Sequence, residues 1–228
     1  MFIDKSMTRN VITVDPETGV LEARELMAEN RIRHLPVVEE DNTLVGIVTD
    51  RDIRSALPST LIGDEESRKE LERIHELKIK DIMTRNVVTV NPTNTLEDAI
   101  LLMQKMRVGA FPVVDQHNRL KGIISIRDLM RAFVNVLGIE EPGTLLCIVV
   151  DNKIGQMKRI VDAITEEKIS FGSILVARFW DEGRRAVFPY LLTSNVSRVK
   201  RKLEALGFEL LNPMEWSLDQ LPKSEPKS

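Results

Sequence analysis

Two four-residue stretches carry the side chains best suited to hold a small ligand. They are Thr49-Asp50-Arg51-Asp52 and Ser125-Ile126-Arg127-Asp128, each a hydroxyl followed three residues later by a carboxylate. At the start of a helix such a pair has two uses. The internal use is a capping box, in which the hydroxyl takes an orphan backbone amide and the acid answers from the third helical position. The usual acid there is Glu or Gln, whereas both stretches use the shorter Asp. The external use is ligand binding. A hydroxyl beside exposed helix-end amides can bond a phosphate oxygen. A carboxylate with two acceptor oxygens suits a pair of vicinal hydroxyls such as those of a ribose. The carboxylate would repel phosphate, so ribose is its better target. A single copy would favour capping, and with two copies both uses stay open.

The elements that must position these groups come from an internal duplication. Met7-Thr8-Arg9-Asn10-Val11 returns 76 residues later as Met83-Thr84-Arg85-Asn86-Val87, and Pro36-Val37-Val38 returns as Pro112-Val113-Val114. Leu44, Gly46 and Ile47 meet Leu120, Gly122 and Ile123 at the same offset. Each copy spells β-α-β-β-α. A β-branched run (Val11–Val14; Val87–Val90) leads through Pro16 or Pro92 into an amphipathic helix. The helix faces are Leu21, Ala23, Leu26 and Met27 in one copy, and Leu96, Ile100, Met103 and Met106 in the other. A strand at the Pro-Val-Val triplet, a polar turn (Glu39–Asn42; Asp115–Asn118) and a second strand then lead to the hydroxyl-x-x-Asp helix. Such a unit cannot bury its apolar face alone, so the copies are expected to pack together and leave a cleft between them.

Composition narrows the function classes. The chain has 228 residues, 43% of them apolar, with 32 basic against 35 acidic residues and a net charge of -3. That balance argues against a nucleic-acid-coating surface. No apolar run approaches the roughly 20 residues needed to cross a bilayer, and the start lacks the apolar stretch of a signal peptide. The single cysteine, Cys147, cannot form an internal disulfide, which fits a reducing compartment. A cytoplasmic protein is expected. His34, His75 and His117 share no ligand spacing with Cys147 or a carboxylate cluster, so no metal site is expected. Phosphate-loop and nucleophile-elbow patterns are absent, and the chain is not expected to be an enzyme.

Asp4 to Thr8, Asp81 to Thr84, Arg33-His34-Leu35-Pro36-Val37-Val38, and Gly46 or Gly122 through Asp52 or Asp128 together resemble a pair of CBS domains, the Bateman module. The resemblance covers about residues 1–137. It implies that adenine-containing ligands (AMP, ADP, ATP or a related adenosyl compound) bind between the paired repeats. It assigns ribose to Asp52 and Asp128, phosphate to Thr49 and Ser125, the base to backbone near Ile12 and Val88, and pocket lining to His34 and Ala110. The first copy has Arg33-His34 where the second has Gly109-Ala110. Two sites of unequal strength are therefore expected.

From Glu140-Glu141-Pro142-Gly143 the character changes. Leu145–Val150 reads as a buried strand. A helix follows with Met157, Ile160, Val161 and Ile164 inward, then strands at Ser173–Phe179 and Ala186–Leu192 around an Asp181-Glu182-Gly183 turn. Pro189 suggests an edge or a bulge. A second helix has Val196, Val199, Leu203 and Leu206 inward and Gly207 as its stop, and Phe208–Leu211 closes the sheet. This is the ferredoxin-like βαββαβ order. The segment resembles an ACT domain on Asn152-Lys153-Ile154-Gly155-Gln156-Met157. That likeness implies a turn at Asn152, Ile154 and Gly155 that takes an amino acid or other small molecule, and a homodimer.

The expected organisation of this α+β chain is a first CBS repeat (1–57), a linker helix (58–78), a second repeat (79–137), an ACT-like domain (144–213) and a disordered tail (217–228). The combination is similar to the acetoin utilization protein family. It implies a regulatory sensor without a catalytic cofactor. The competing expectation is a nucleotide-independent dimeric scaffold.

Overall fold

The computed structural model describes residues 1–57, 75–181 and 183–212. The chain divides into two compact units, Met1–Met130 and Arg131–Ser228. Most of the expected linker helix (58–74), Glu182 of the expected turn, and the expected tail (217–228) lie outside the described residues.

In the first unit the first copy supplies helix α1 (Val20–Glu29), strands β1 (His34–Val38) and β2 (Leu44–Thr49), and helix α2 (Asp50–Ala56). The second copy supplies α3 (Ile79–Ile82), α4 (Leu96–Met106), β3 (Ala110–Val114), β4 (Leu120–Ser125) and the start of α5 (Ile126–Leu137), a helix whose residues from Arg131 onward belong to the second unit. The hairpins agree residue for residue. His34 pairs with Thr49 and Val37 with Gly46, as Ala110 pairs with Ser125 and Val113 with Gly122, and each has a bulge before its last pair. Asn42 and Asn118 turn the hairpins with positive φ, 67° and 58°, a conformation Asn tolerates well.

The β-branched runs do not become strands. Each makes one parallel bridge, Val14 to Val37 and Val90 to Val113. Val14 donates to the Pro36 carbonyl and accepts from the Val38 amide. Two residues on, Pro16 or Pro92 has no N–H with which to continue the ladder. The helix faces also shift from expectation. Buried positions are Val20, Ala23 and Met27 in α1 and Leu96, Ala99 and Met103 in α4, whereas Met106 at the end of α4 is exposed. The spacing i, i+3, i+7 keeps a single stripe against the hairpin.

The copies exchange their leading segments. Ile3 and Asp4 donate to the carbonyls of Asn94 and Pro92, while Ile79 and Lys80 donate to those of Thr18 and Pro16. Thr8 bridges Ile123, and Thr84 bridges Ile47. The residues that introduce the second copy therefore complete the core of the first. Ile79 is buried with Val14, Val20, Leu35, Val37, Val48 and Ile53. The hairpin turns interlock as well. Asn42 Nδ2 donates to the Leu120 carbonyl and Asn118 Nδ2 to the Leu44 carbonyl, both at 2.8 Å.

The second unit holds β5 (Thr144–Leu145), β6 (Cys147–Asp151), α6 (Gln156–Thr165), β7 (Phe171–Asp181), β8 (Arg184–Leu191), α7 (Ser197–Ala205) and β9 (Glu209–Leu211). From β6 onward the order is β-α-β-β-α-β. The strands lie β7-β8-β6-β9 with every neighbour antiparallel. β8 is an inner strand, so Pro189 does not mark an edge. It faces Leu146, whose amide donates to the Pro189 carbonyl, and its missing N–H is where the first strand breaks into β5 and β6. Ile148, Val150, Ile160, Ile164, Val187, Leu191, Val199, Leu203 and Phe208 form one core. Met157 and Leu206, expected inward, are exposed. Gly207 ends α7 at φ 84°, and the Phe208 amide reaches back to the Leu203 carbonyl, a helix stop that glycine makes at no steric cost. Cys147 is buried, and burial pushes its thiol up to about 11. It is a small core residue, as expected.

Candidate functional site

Both hydroxyl-x-x-Asp stretches close into capping boxes. The Thr49 amide and Oγ1 donate to Asp52 Oδ2 at 2.8 and 2.7 Å, and the Asp52 amide returns a bond to Thr49 Oγ1 at 3.3 Å. The Ser125 amide and Oγ donate to Asp128 Oδ2 at 2.9 and 2.6 Å, and the Asp128 amide donates back at 3.3 Å. The internal use of these residues is thus realised in each copy. These bonds converge on Oδ2 of each acid. Asp128 is 6% exposed and is the one polar side chain counted in the core of the described residues. Burial of a carboxylate is tolerated because amide and hydroxyl donors surround it.

The strand starts stand directly beside the boxes. His34 is the register partner of Thr49, and Ala110 of Ser125. The Arg33 carbonyl accepts from the Asp50 amide, and the Gly109 carbonyl from the Ile126 amide. These bonds fix each strand start against the first turn of the helix that carries the Asp.

The two half-sites meet. A Cβ built on Gly109 would lie 3.3 Å from both Cε1 and Nε2 of His34, so the imidazole of the first copy reaches the backbone of the second. Burial lowers the pKa of His34, Arg33 acts in the same direction, and Asp52 opposes both. The neutral ring is therefore favoured at neutral pH. Thr49, Asp52 and His34 come together on one side of this contact, and Ser125, Asp128 and Ala110 on the other. Ile12 and Val88 are half-buried on the extended segments that end in the single parallel bridges. What sequence reasoning missed is the imidazole-to-glycine contact. Its only trace is a large side chain at 34 and none at 109.

A cavity of about 360 Å³ lies at the other end of β1, with Thr13, Val14, Asp15, Glu22, Glu39 and Glu40 in its lining. Its carboxylates make it a poor seat for phosphate. Asn152, Ile154 and Gly155 sit in the exposed turn between β6 and α6, with Gly155 at φ 94°. Among the described residues no group of three or more His, Cys, Asp or Glu could hold a metal ion. Among the same residues no helix is long and apolar enough to cross a membrane.

The paired repeats are similar to parts of known proteins. A CBS domain-containing protein of Dictyostelium discoideum is 34% identical over 138 residues, which are 60% of this chain and 94% of that protein. CBSX2, an Arabidopsis thaliana CBS-pair protein solved in complex with AMP, matches with a TM-score of 0.50 at 30% identity, covering 58% of this chain and 96% of that one. A Vibrio cholerae protein named for acetoin utilization, AcuB, matches with a TM-score of 0.52 at 28% identity, covering 62% of this chain and 98% of that one. The CBS domain model itself matches twice, at residues 3–59 and 79–135. These two matches take up half of the chain in the order that the duplication lays down, and the chain belongs to the CBS domain family.

Proposed function

We propose that the chain is a non-catalytic regulatory sensor that binds an adenine nucleotide between its paired CBS repeats. The observation that carries this reading is the meeting of the two half-sites. Each offers a carboxylate beside a hydroxyl, and they adjoin through His34 and Gly109. The AMP complex of CBSX2 supports the ligand class. Ribose goes to Asp52 and Asp128, phosphate to Thr49 and Ser125, and the base to backbone near Ile12 and Val88, with His34 and Ala110 lining the pocket.

The second unit serves as an ACT-like module. Its β-α-β-β-α-β order with antiparallel neighbours supports that assignment. Its exposed Asn152–Gly155 turn is the place for an amino acid or other small molecule. The protein works in the cytoplasm as a homodimer, a reading supported by the exposed apolar side chains Ile126, Met130, Phe133 and Val136 along α5. Coupling between ligand and partner requires that each prefer one of two arrangements.

Binding is read by thermal unfolding. AMP raises the midpoint, and the shift grows with its concentration. Asp52→Ala and Asp128→Ala each weaken AMP binding, and each costs about 0.5–2 kcal/mol for loss of a helix cap. Titration calorimetry gives two unequal affinities, because Arg33-His34 faces one side and Gly109-Ala110 the other. A scaffold that ignores nucleotides is the second reading, and the closed capping boxes favour it. It prevails if AMP, ADP, ATP and S-adenosylmethionine all leave the thermal midpoint unshifted, whereas Asp variants that lose stability yet bind AMP like the parent would leave the two carboxylates a capping role alone.

A further inference from the structure

The sensor reading leaves open which adenosyl compounds the cleft distinguishes, and His34 is placed to decide it. The ring occupies the junction of the two half-sites. Its backbone pairs with Thr49, and its Cε1–Nε2 edge abuts Gly109. A side chain at 109 would fill the space that the imidazole edge enters. The charged groups that act on the ring are Arg33 beside it in the chain and Asp52 on α2, and the facing strand start brings the backbone of Gly109 against it. Ser125 and Ala110, the second-copy neighbours of that contact, are uncharged.

We infer that His34 makes the cleft select adenosyl ligands by the charge of their 5′ substituent, taking up a proton when that substituent is a phosphate and none when it is neutral or a sulfonium. The inference rests on the adenine-nucleotide reading of the same site. The physics is reciprocal. A phosphate brought near the ring stabilises imidazolium, and by linkage a protonated ring holds the phosphate more tightly. The free ring is held neutral, chiefly by burial and secondarily by Arg33. With the bound pKa above the free pKa, AMP affinity rises as pH falls through the window between them. A neutral nucleoside leaves the ring as it is, and a cationic tail pushes its pKa further down. A cleft with this residue reports phosphate-bearing adenosine against its dephosphorylated and sulfonium-bearing relatives.

The test reads the ring directly, which keeps the titration of the phosphate itself out of the result. The chain has three histidines, His34, His75 and His117, so carbon-labelled imidazole resonances are separable, and His34→Gln assigns the one in question. The full chain is titrated with pH alone, with AMP, with adenosine and with S-adenosylmethionine. The His34 pKa should rise by about one unit with AMP, which is roughly a tenfold gain in AMP affinity across the window. It should stay in place with adenosine and fall with S-adenosylmethionine, while His75 and His117 do not move. His34→Gln should lose the pH dependence of AMP binding that the parent's ring supplies. AMP that binds without moving the His34 pKa overturns the inference and leaves the sensor reading intact, as does adenosine that moves it equally. Absence of any bound adenosyl compound, seen as an unshifted thermal midpoint, overturns both.

Discussion

Ile79→Ala should lower the stability of the first unit by about 2–5 kcal/mol, the range for emptying a buried Ile or Leu site. The effect should appear in the core of the first copy, although residue 79 stands at the head of the second. Ile79 is fully buried against Val14, Val20, Ala23, Leu35, Val48 and Ile53. Its amide is held by the Thr18 carbonyl at 2.9 Å, which fixes the backbone that carries the side chain. Ile3 is its counterpart at the 76-residue offset, equally buried, with its amide on the Asn94 carbonyl at 2.9 Å. Ile3→Ala should therefore cost a similar amount in the other copy. Lys80→Ala is the control. It removes only an exposed ion pair with Glu17, and such pairs contribute about 0–1 kcal/mol. Urea unfolding followed by tryptophan-independent circular dichroism measures all three. Equal, small losses for Ile79→Ala and Lys80→Ala would show that the leading segments lie on the unit without supporting it.

The sequence disclosed what side-chain pattern encodes. The offset of 76 residues predicts two hairpins in one register, and His34–Thr49 and Ala110–Ser125 pair as that offset requires. Thr49–Asp52 and Ser125–Asp128 read as capping boxes or ligand groups, and the boxes are closed. What the sequence hid is carried by backbone. The exchange of leading segments runs through amides at Ile3, Asp4, Ile79 and Lys80 and carbonyls at Pro16, Thr18, Pro92 and Asn94. Such bonds need no particular side chain, and Ile79 and Ile82 read equally well as the opening of their own copy. The runs Val11–Val14 and Val87–Val90 have strand chemistry, but prolines two residues on remove the donor that a longer ladder needs. Met106 and Leu206 keep helical period yet lie at helix ends, where the stripe has passed the edge of its partner. The choice between capping and ligand binding was not legible because both uses call for the same oxygen-bearing side chains at the same spacing. The site itself was legible only by halves: nothing along the chain says that residue 34 of one copy meets residue 109 of the other.

Gly122→Ala should destabilise the first unit more than Gly46→Ala, although the two positions are equivalent in the duplication. A Cβ at Gly46 would lie 2.6 Å from Met83 Sδ and 3.2 Å from its Cγ, with the Thr84 carbonyl oxygen also at 3.2 Å. A Cβ at Gly122 would meet Met7 Sδ at 2.6 Å but also the Thr8 carbonyl oxygen at 2.9 Å. Methionine has three rotatable bonds and yields readily. The Thr8 backbone cannot yield in the same way, because its amide and carbonyl are both paired with Ile123 at 2.9 Å. Overpacking of this kind costs typically about 1–3 kcal/mol, and Gly122→Ala belongs at the upper end. A double-mutant cycle separates sulfur from backbone. Met83→Ala should rescue most of the Gly46→Ala overpacking, since the sulfur is the obstacle there. Met7→Ala should rescue Gly122→Ala only in part, since the Thr8 oxygen stays where Ile123 holds it. Full rescue at both positions would mean that the Thr8–Ile123 bridge gives way as easily as a side chain, and that the exchanged segments are held by packing more than by hydrogen bonds.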